Sequence, residues 1–94
     1  MAFLFTWDPN KAESNQAKHG VSFDEALSAF SDPLARIFPD EYHSRNEERE
    51  ILVGHAMGGQ LLVVSFVERI GMVRLISARA ATSKERRDHE QDTR

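Results

Sequence analysis

Ninety-four residues with a formal net charge of −3, 40% hydrophobic and 29% charged, have the ordinary make-up of one soluble domain with room for one modest core. The absence of cysteine excludes disulfides and thiolate metal sites and suits a reducing compartment. No apolar run approaches a membrane span, and the opening MAFLFTWDP lacks the basic start and long apolar stretch of a secretion signal, so a cytoplasmic location with no membrane partner is expected.

In chain order, Phe3 to Trp7 reads as a short apolar strand. A first helix is expected from Pro9 to Lys18, with Asp8 as its cap, Pro9 at the position that needs no amide donor, and Gly20 as a left-handed stop. Only Ala12 and Ala17 are apolar within it. A short helix draws most of its stability from a buried stripe, so this one has a task other than core packing. A second helix from Phe23 to Phe30 carries Phe23, Ala26, Leu27 and Phe30 at core spacing, with Ser22 and Glu25 as a capping box. Leu34 to Phe38 reads as a strand, followed by a polar loop from Pro39 to Asn46.

The remainder reads as three strands, Glu48–Met57, Gln60–Val67 and Met72–Arg79, then a helix from Ser83 to Gln91 with Thr82 or Ser83 as cap, Glu85 three after Thr82, and almost no apolar face. Gly58-Gly59 predicts a two-residue hairpin turn, and Glu68-Arg69-Ile70-Gly71 a four-residue connection. Pairing Met57 with Gln60 sets Val53 against Val64, Ile51 against Phe66 and Glu48 against Arg69. Pairing Val67 with Met72 sets Val64 against Leu75 and Ser65 against Arg74. One sheet face then collects Ile51, Val53, Leu62, Val64, Phe66, Val73 and Leu75. The other carries Glu48, Glu50, Ser65, Arg69 and Arg74 among Leu52, Val63 and Ile76. The fold class is α+β: two N-terminal helices and one C-terminal helix around a mainly antiparallel four- to five-stranded sheet.

Charge is uneven. Residues 1–57 hold 5 basic and 10 acidic side chains, whereas residues 58–94 hold 7 basic and 5 acidic ones. The net charge argues mildly against a phosphate-rich partner, but the uneven distribution softens that objection and composition alone leaves the question open. Lys18 and His19 end the first helix, where the dipole favours cations and a proton-donating imidazolium. They serve equally well as caps of the last carbonyls. Arg69, Arg74 and Arg79 offer planar donor forks suited to a phosphate. Arg69 is also explained by pairing with Glu48, whereas Arg74 sits mid-strand beside Ser65. Arg69 and Arg79 stand about 25 Å apart along the strands and do not share one atom. The run Glu47-Glu48 with Glu50 holds a candidate base, or simply a solvated strand end. Ser44 beside His43 lacks the G-x-S-x-G elbow of a nucleophile. His19, His43, His55 and His89 show no helical or hairpin ligand spacing, so no metal and no cofactor are expected.

Taken together, FTWDPNKAESNQAKHGVSFDEA, the DP after the second helix, HSRNEERE, VGHAMGGQLLVV, RLISARAA and KERRDHE make the whole chain resemble the BrnT family of bacterial type II toxin–antitoxin systems. The resemblance implies a RelE-like fold and a metal-independent ribonuclease that acts on RNA. It also implies a cognate antitoxin, typically with a ribbon-helix-helix DNA-binding domain, so that DNA is reached only through that partner. It directs attention to Lys18, His19, Glu48, Arg69, Arg74 and Arg79 without assigning their roles. Two positions depart from the family's pattern. Gln60 stands where a basic residue is common, which removes a phosphate contact near Arg79, and His89 stands where a tyrosine is usual. The expected reaction is attack of the RNA 2′-hydroxyl on the adjacent phosphate, with Glu48 or neutral His19 as base and Arg74, with Arg69 or Lys18, bearing the extra charge. The alternatives are a non-catalytic protein-interaction module and an RNA binder without turnover.

Overall fold

The computed structural model describes residues 4–43 and 47–93. Its elements are β1 (Leu4–Thr6), α1 (Pro9–His19), α2 (Phe23–Ala29), β2 (Arg36–Pro39), β3 (Glu50–His55), β4 (Leu61–Arg69), β5 (Met72–Ala80) and α3 (Ser83–Asp92). The five strands form one sheet in the order β1-β5-β4-β3-β2, with β1 parallel to β5 and every other pair antiparallel. Three helices around a mixed sheet give the α+β class. Among the described residues, no helix is long and apolar enough to cross a membrane.

Local chemistry sets the helix ends as the sequence predicts. The Asp8 carboxylate accepts from the Asn10 amide at 2.8 Å, and Gly20 closes α1 at φ 71°, where its amide donates to the Gln16 carbonyl. Ser22 caps α2 by accepting from the Glu25 amide, one half of the expected box, and Thr82 with Glu85 forms a complete capping box on α3. The main core lies between the first two helices and one sheet face. Phe23, Ala26 and Ala29 of α2 meet Leu52, Leu62, Val64, Phe66, Val73, Leu75 and Ala78, all buried. Edge-to-face rings run from Phe5 to Phe30 to Phe66 at 5.0 and 5.2 Å. The opposite face carries a smaller apolar cluster, Leu61, Val63 and Ala81 with Ile51 and Val53.

The strand registers differ from those predicted, and each difference has a local cause. The first hairpin uses three residues, Met57–Gly58–Gly59, with the Ala56 amide donating to the Gln60 carbonyl and Gly59 at φ 91°. This sets Val53 against Val63 and Ile51 against Ser65. A one-residue slip turns every β3 side chain over, so Leu52 enters the main core while Ile51 and Val53 join the smaller cluster. The second hairpin is tighter than expected: Arg69 pairs with Met72 across Ile70-Gly71. Ile70 sits at φ 39°, a conformation β-branched residues avoid, so nothing in the sequence marked a two-residue turn there. A bulge opposite Ser65 and Phe66 then inserts Ile76 into β5, setting Ser65 against Ser77 and Val63 against Arg79.

Candidate phosphate-binding groove

Asn15 explains why α1 holds its place with so few apolar side chains. It is the one buried residue of the helix among those described. β1 pairs with β5 only as far as Arg74, which leaves the β5 edge uncovered beyond it. The Asn15 carboxamide takes over that edge: the Ala78 amide donates to its oxygen at 3.0 Å, and its nitrogen donates to the Ala78 carbonyl at 2.8 Å and the Val21 carbonyl at 3.0 Å. The side chain acts as a strand one residue long, fixing the C-terminal turn of α1 beside β5.

That anchoring sets Lys18 and His19 along a groove of about 430 Å³ lined by Asn10, Lys11, Ser14, Arg49, Ile76 and Ser77. Both side chains are exposed, and no described residue forms a hydrogen bond or ion pair with either. Arg49 and Ser77 also border a neighbouring space of about 400 Å³ that reaches Ser65, His43 and Arg79. The two spaces adjoin along one face of β5, whose bulge lets Ser77 and Arg79 share the face opposite the main core.

Arg69 and Arg74 occupy a third cleft with Thr6, Val67 and Met72. Both donate to one carboxylate, that of Glu47, Arg69 at 3.1 Å and Arg74 at 2.5 Å. Glu47, and not the expected Glu48, is the acid between them. Continued past Glu50, the observed β3–β4 register brings residue 47 opposite Arg69. Glu48 is exposed. Lys18 and His19 thus lie in a different recess from Arg69 and Arg74. Arg74 stands three residues before Ser77 on β5, about 10 Å away at strand rise.

Arg79 makes a bidentate pair with Glu85, 2.7 and 2.9 Å, which ties the first turn of α3 to the sheet. The Arg79 hydrogen bonds outweigh partial burial and, with the Thr82 amide, pull the Glu85 carboxyl down to about 2. Glu85 in turn raises the Arg79 pKa above its ordinary value. A fourth cluster was invisible in the sequence because its members come from distant elements. The Asp32 carboxylate accepts from the His55 amide at 2.7 Å and lies 2.8 Å from its Nδ1, and the His55 ring meets that of His89 edge-on at 5.6 Å. Burial pushes the Asp32 carboxyl up, but the amides of His55 and Leu34 and the His55 ring together hold it below the usual range. Arg49 and Ser77 were also missed as groove residues, since only tertiary packing unites them with Lys18. Ser44 lies outside the described residues.

Comparison with known proteins agrees with the fold and with the family resemblance. Residues 7–85 match the family described as the ribonuclease toxin BrnT of type II toxin–antitoxin systems. The crystal structure of the Brucella abortus ribonuclease toxin BrnT superposes with a TM-score of 0.64 at 26% identity, covering 87% of this chain and 100% of that one. No curated protein matches the sequence.

Proposed function

We propose that this chain, which belongs to the BrnT family of ribonuclease toxins of type II toxin–antitoxin systems, is a metal-independent endoribonuclease whose substrate lies along the Lys18–Arg79 groove. The observation that carries this reading is the unneutralised pair Lys18 and His19, held beside Arg49 and Ser77 by the buried Asn15. A cation and an imidazole at one helix end, next to a donor-lined face, are the minimum equipment for rearranging a phosphodiester.

In this reading the RNA 2′-oxygen attacks its own phosphorus while a base removes its proton. The bond to the 5′-oxygen breaks, and that oxygen receives a proton, leaving a 2′,3′-cyclic phosphate and a 5′-hydroxyl. His19 moves the protons, with Glu48 the alternative base. Lys18 stabilises the added charge on the phosphorane. Arg79 retains donors beyond those given to Glu85, since a guanidinium carries five, and binds a neighbouring phosphate. Arg69 and Arg74 hold a further phosphate by exchanging Glu47 for it. Loss of one charge-stabilising donor at such a site lowers the rate about 10²–10³-fold.

A cognate antitoxin, with a ribbon-helix-helix DNA-binding domain, neutralises the toxin in the cytoplasm by covering this groove. Digestion of RNA by the purified chain in the presence of chelator tests the reading. Cyclic-phosphate ends are expected, lost in Lys18→Ala. The Glu47 carboxylate already occupies Arg69 and Arg74, which favours the second reading, a binder without turnover. Salt-sensitive RNA binding with intact product would establish that instead.

A further inference from the structure

We infer that Asp32, His55 and His89 form a binding site for a single borderline transition-metal ion, Zn²⁺ foremost, that fastens α3 to the sheet. Each residue offers one donor atom, and the three lie within 4.8 Å of one another. They come from the turn after α2, from β3 and from α3, so one ion would join three elements. At zinc–ligand distances of about 2.0–2.1 Å, tetrahedral donors stand roughly 3.3 Å apart, so the widest donor separation needs to close by at most about 1.5 Å. Two imidazoles and a carboxylate are a borderline donor set, with water completing the fourth position.

An independent observation concerns His89 itself. It is 5% exposed, the one buried residue of α3 among those described, and its Nε2 is buried with no hydrogen-bond partner. A buried ring nitrogen without a partner is unfavourable, and a purely apolar ring would fill the same space without that loss. Simple packing of His89 on His55 therefore explains the position but not the choice of histidine. Asp32 is prepared for a cation. Its side chain is 7% exposed, and it is oriented by the amides of His55 and Leu34. Coordination requires unprotonated ring nitrogens, so a proton carried on a coordinating nitrogen leaves to solvent on binding.

α3 has little else to dock with. Its remaining ties to the described residues are the Arg79–Glu85 pair, a 3.0 Å hydrogen bond from the Arg36 guanidinium to the Asp92 carbonyl, and a contact from the Arg86 guanidinium to the Ala81 carbonyl. The ion's role is structural, and the inference does not rest on the proposed cleavage chemistry.

The test is titration of the chelator-stripped full chain with Zn²⁺ and Co²⁺, read by calorimetry, visible absorption and thermal unfolding. One ion per chain is expected, with d–d bands from Co²⁺. Tm should rise by about 10 °C or more once Zn²⁺ exceeds its dissociation constant a hundredfold. His89→Phe, which keeps a ring in place, and His55→Ala should each weaken binding at least tenfold, whereas His19→Ala with His43→Ala should not. Mg²⁺ should produce no shift. Absence of stoichiometric binding, a Tm indifferent to saturating Zn²⁺, or His89→Phe and His55→Ala binding like the wild type would overturn the inference. RNA cleavage is scored separately in chelator, so either claim can fail alone.

Discussion

Replacing Asn15 with alanine removes three hydrogen bonds at once, from the Ala78 amide and to the Ala78 and Val21 carbonyls. Both backbone segments belong to residues that are essentially fully buried, Ala78 at 0% and Val21 at 2% exposure. A buried polar group left without a partner costs about 1–3 kcal/mol. Asn15 also borders the open groove, so water can partly replace it, and the low end of that range applies. The expected loss is about 3 kcal/mol, a large share of the roughly 5–15 kcal/mol that stabilises a domain. For a chain of this size it corresponds to a fall in Tm of roughly 12–24 °C. Urea unfolding followed by circular dichroism measures it, with the exposed neighbour Gln16→Ala as a control within about 0.5 kcal/mol. Asn15→Asp keeps the acceptor for the Ala78 amide but presents a carboxylate to two carbonyls, so it should recover stability when acidified. An Asn15→Ala protein within 1 kcal/mol of wild type would refute the idea that this carboxamide stands in for a missing strand.

Other substitutions probe other joints. Gly54→Ala places a Cβ 2.9 Å from the Ala29 carbonyl and 3.0 Å from Ala35, so it should lower stability by about 1–3 kcal/mol in the same assay. Ile70→Asn should raise stability by about 1 kcal/mol, because Ile70 is fully exposed and gives up only its left-handed strain. The Arg79–Glu85 pair sets an acid limb. Because the folded Glu85 value of about 2 lies below its ordinary 4.5, the contribution is complete above pH 4.5 and disappears as pH falls toward 2. Its ceiling is about 3 kcal/mol, and with side chains 41% and 35% exposed, solvent screening brings it to about 1. A Glu85→Gln protein should therefore show a shallower loss of stability across that interval.

Much of the architecture was legible because it is written in local signals. Asp8-Pro9, Gly20, Ser22 and Thr82 mark helix ends through hydrogen bonds only a few residues long. The apolar alternation of Leu62, Val64 and Phe66 fixed the inner face of β4 whatever its neighbours did. Register was less legible, since it hangs on single turn residues. Gly58-Gly59 fits a two-residue loop as readily as the three-residue one that formed, and that one step exchanged Leu52 for Ile51 and Val53 in the main core. The same step transferred the arginine pairing from Glu48 to Glu47. Lys18 and His19 were conspicuous as a cationic helix end without a core to serve. The partners that make a groove around them, Arg49 and Ser77, come from beyond the range of any sequence pattern. The Asp32–His55–His89 cluster lay deeper still, because ligand spacing reads only helices and hairpins, and these three meet through tertiary packing.

The central claim is that the Lys18–His19 groove breaks RNA without a metal ion. The most direct measurement is the product of purified chain and RNA in excess chelator, resolved by end-group analysis. Cleavage to 2′,3′-cyclic phosphate ends is predicted, with Lys18→Ala and His19→Ala each about 10²–10³-fold slower. RNA left whole, cutting that stops when metal is withdrawn, or both variants working at the wild-type rate would contradict it.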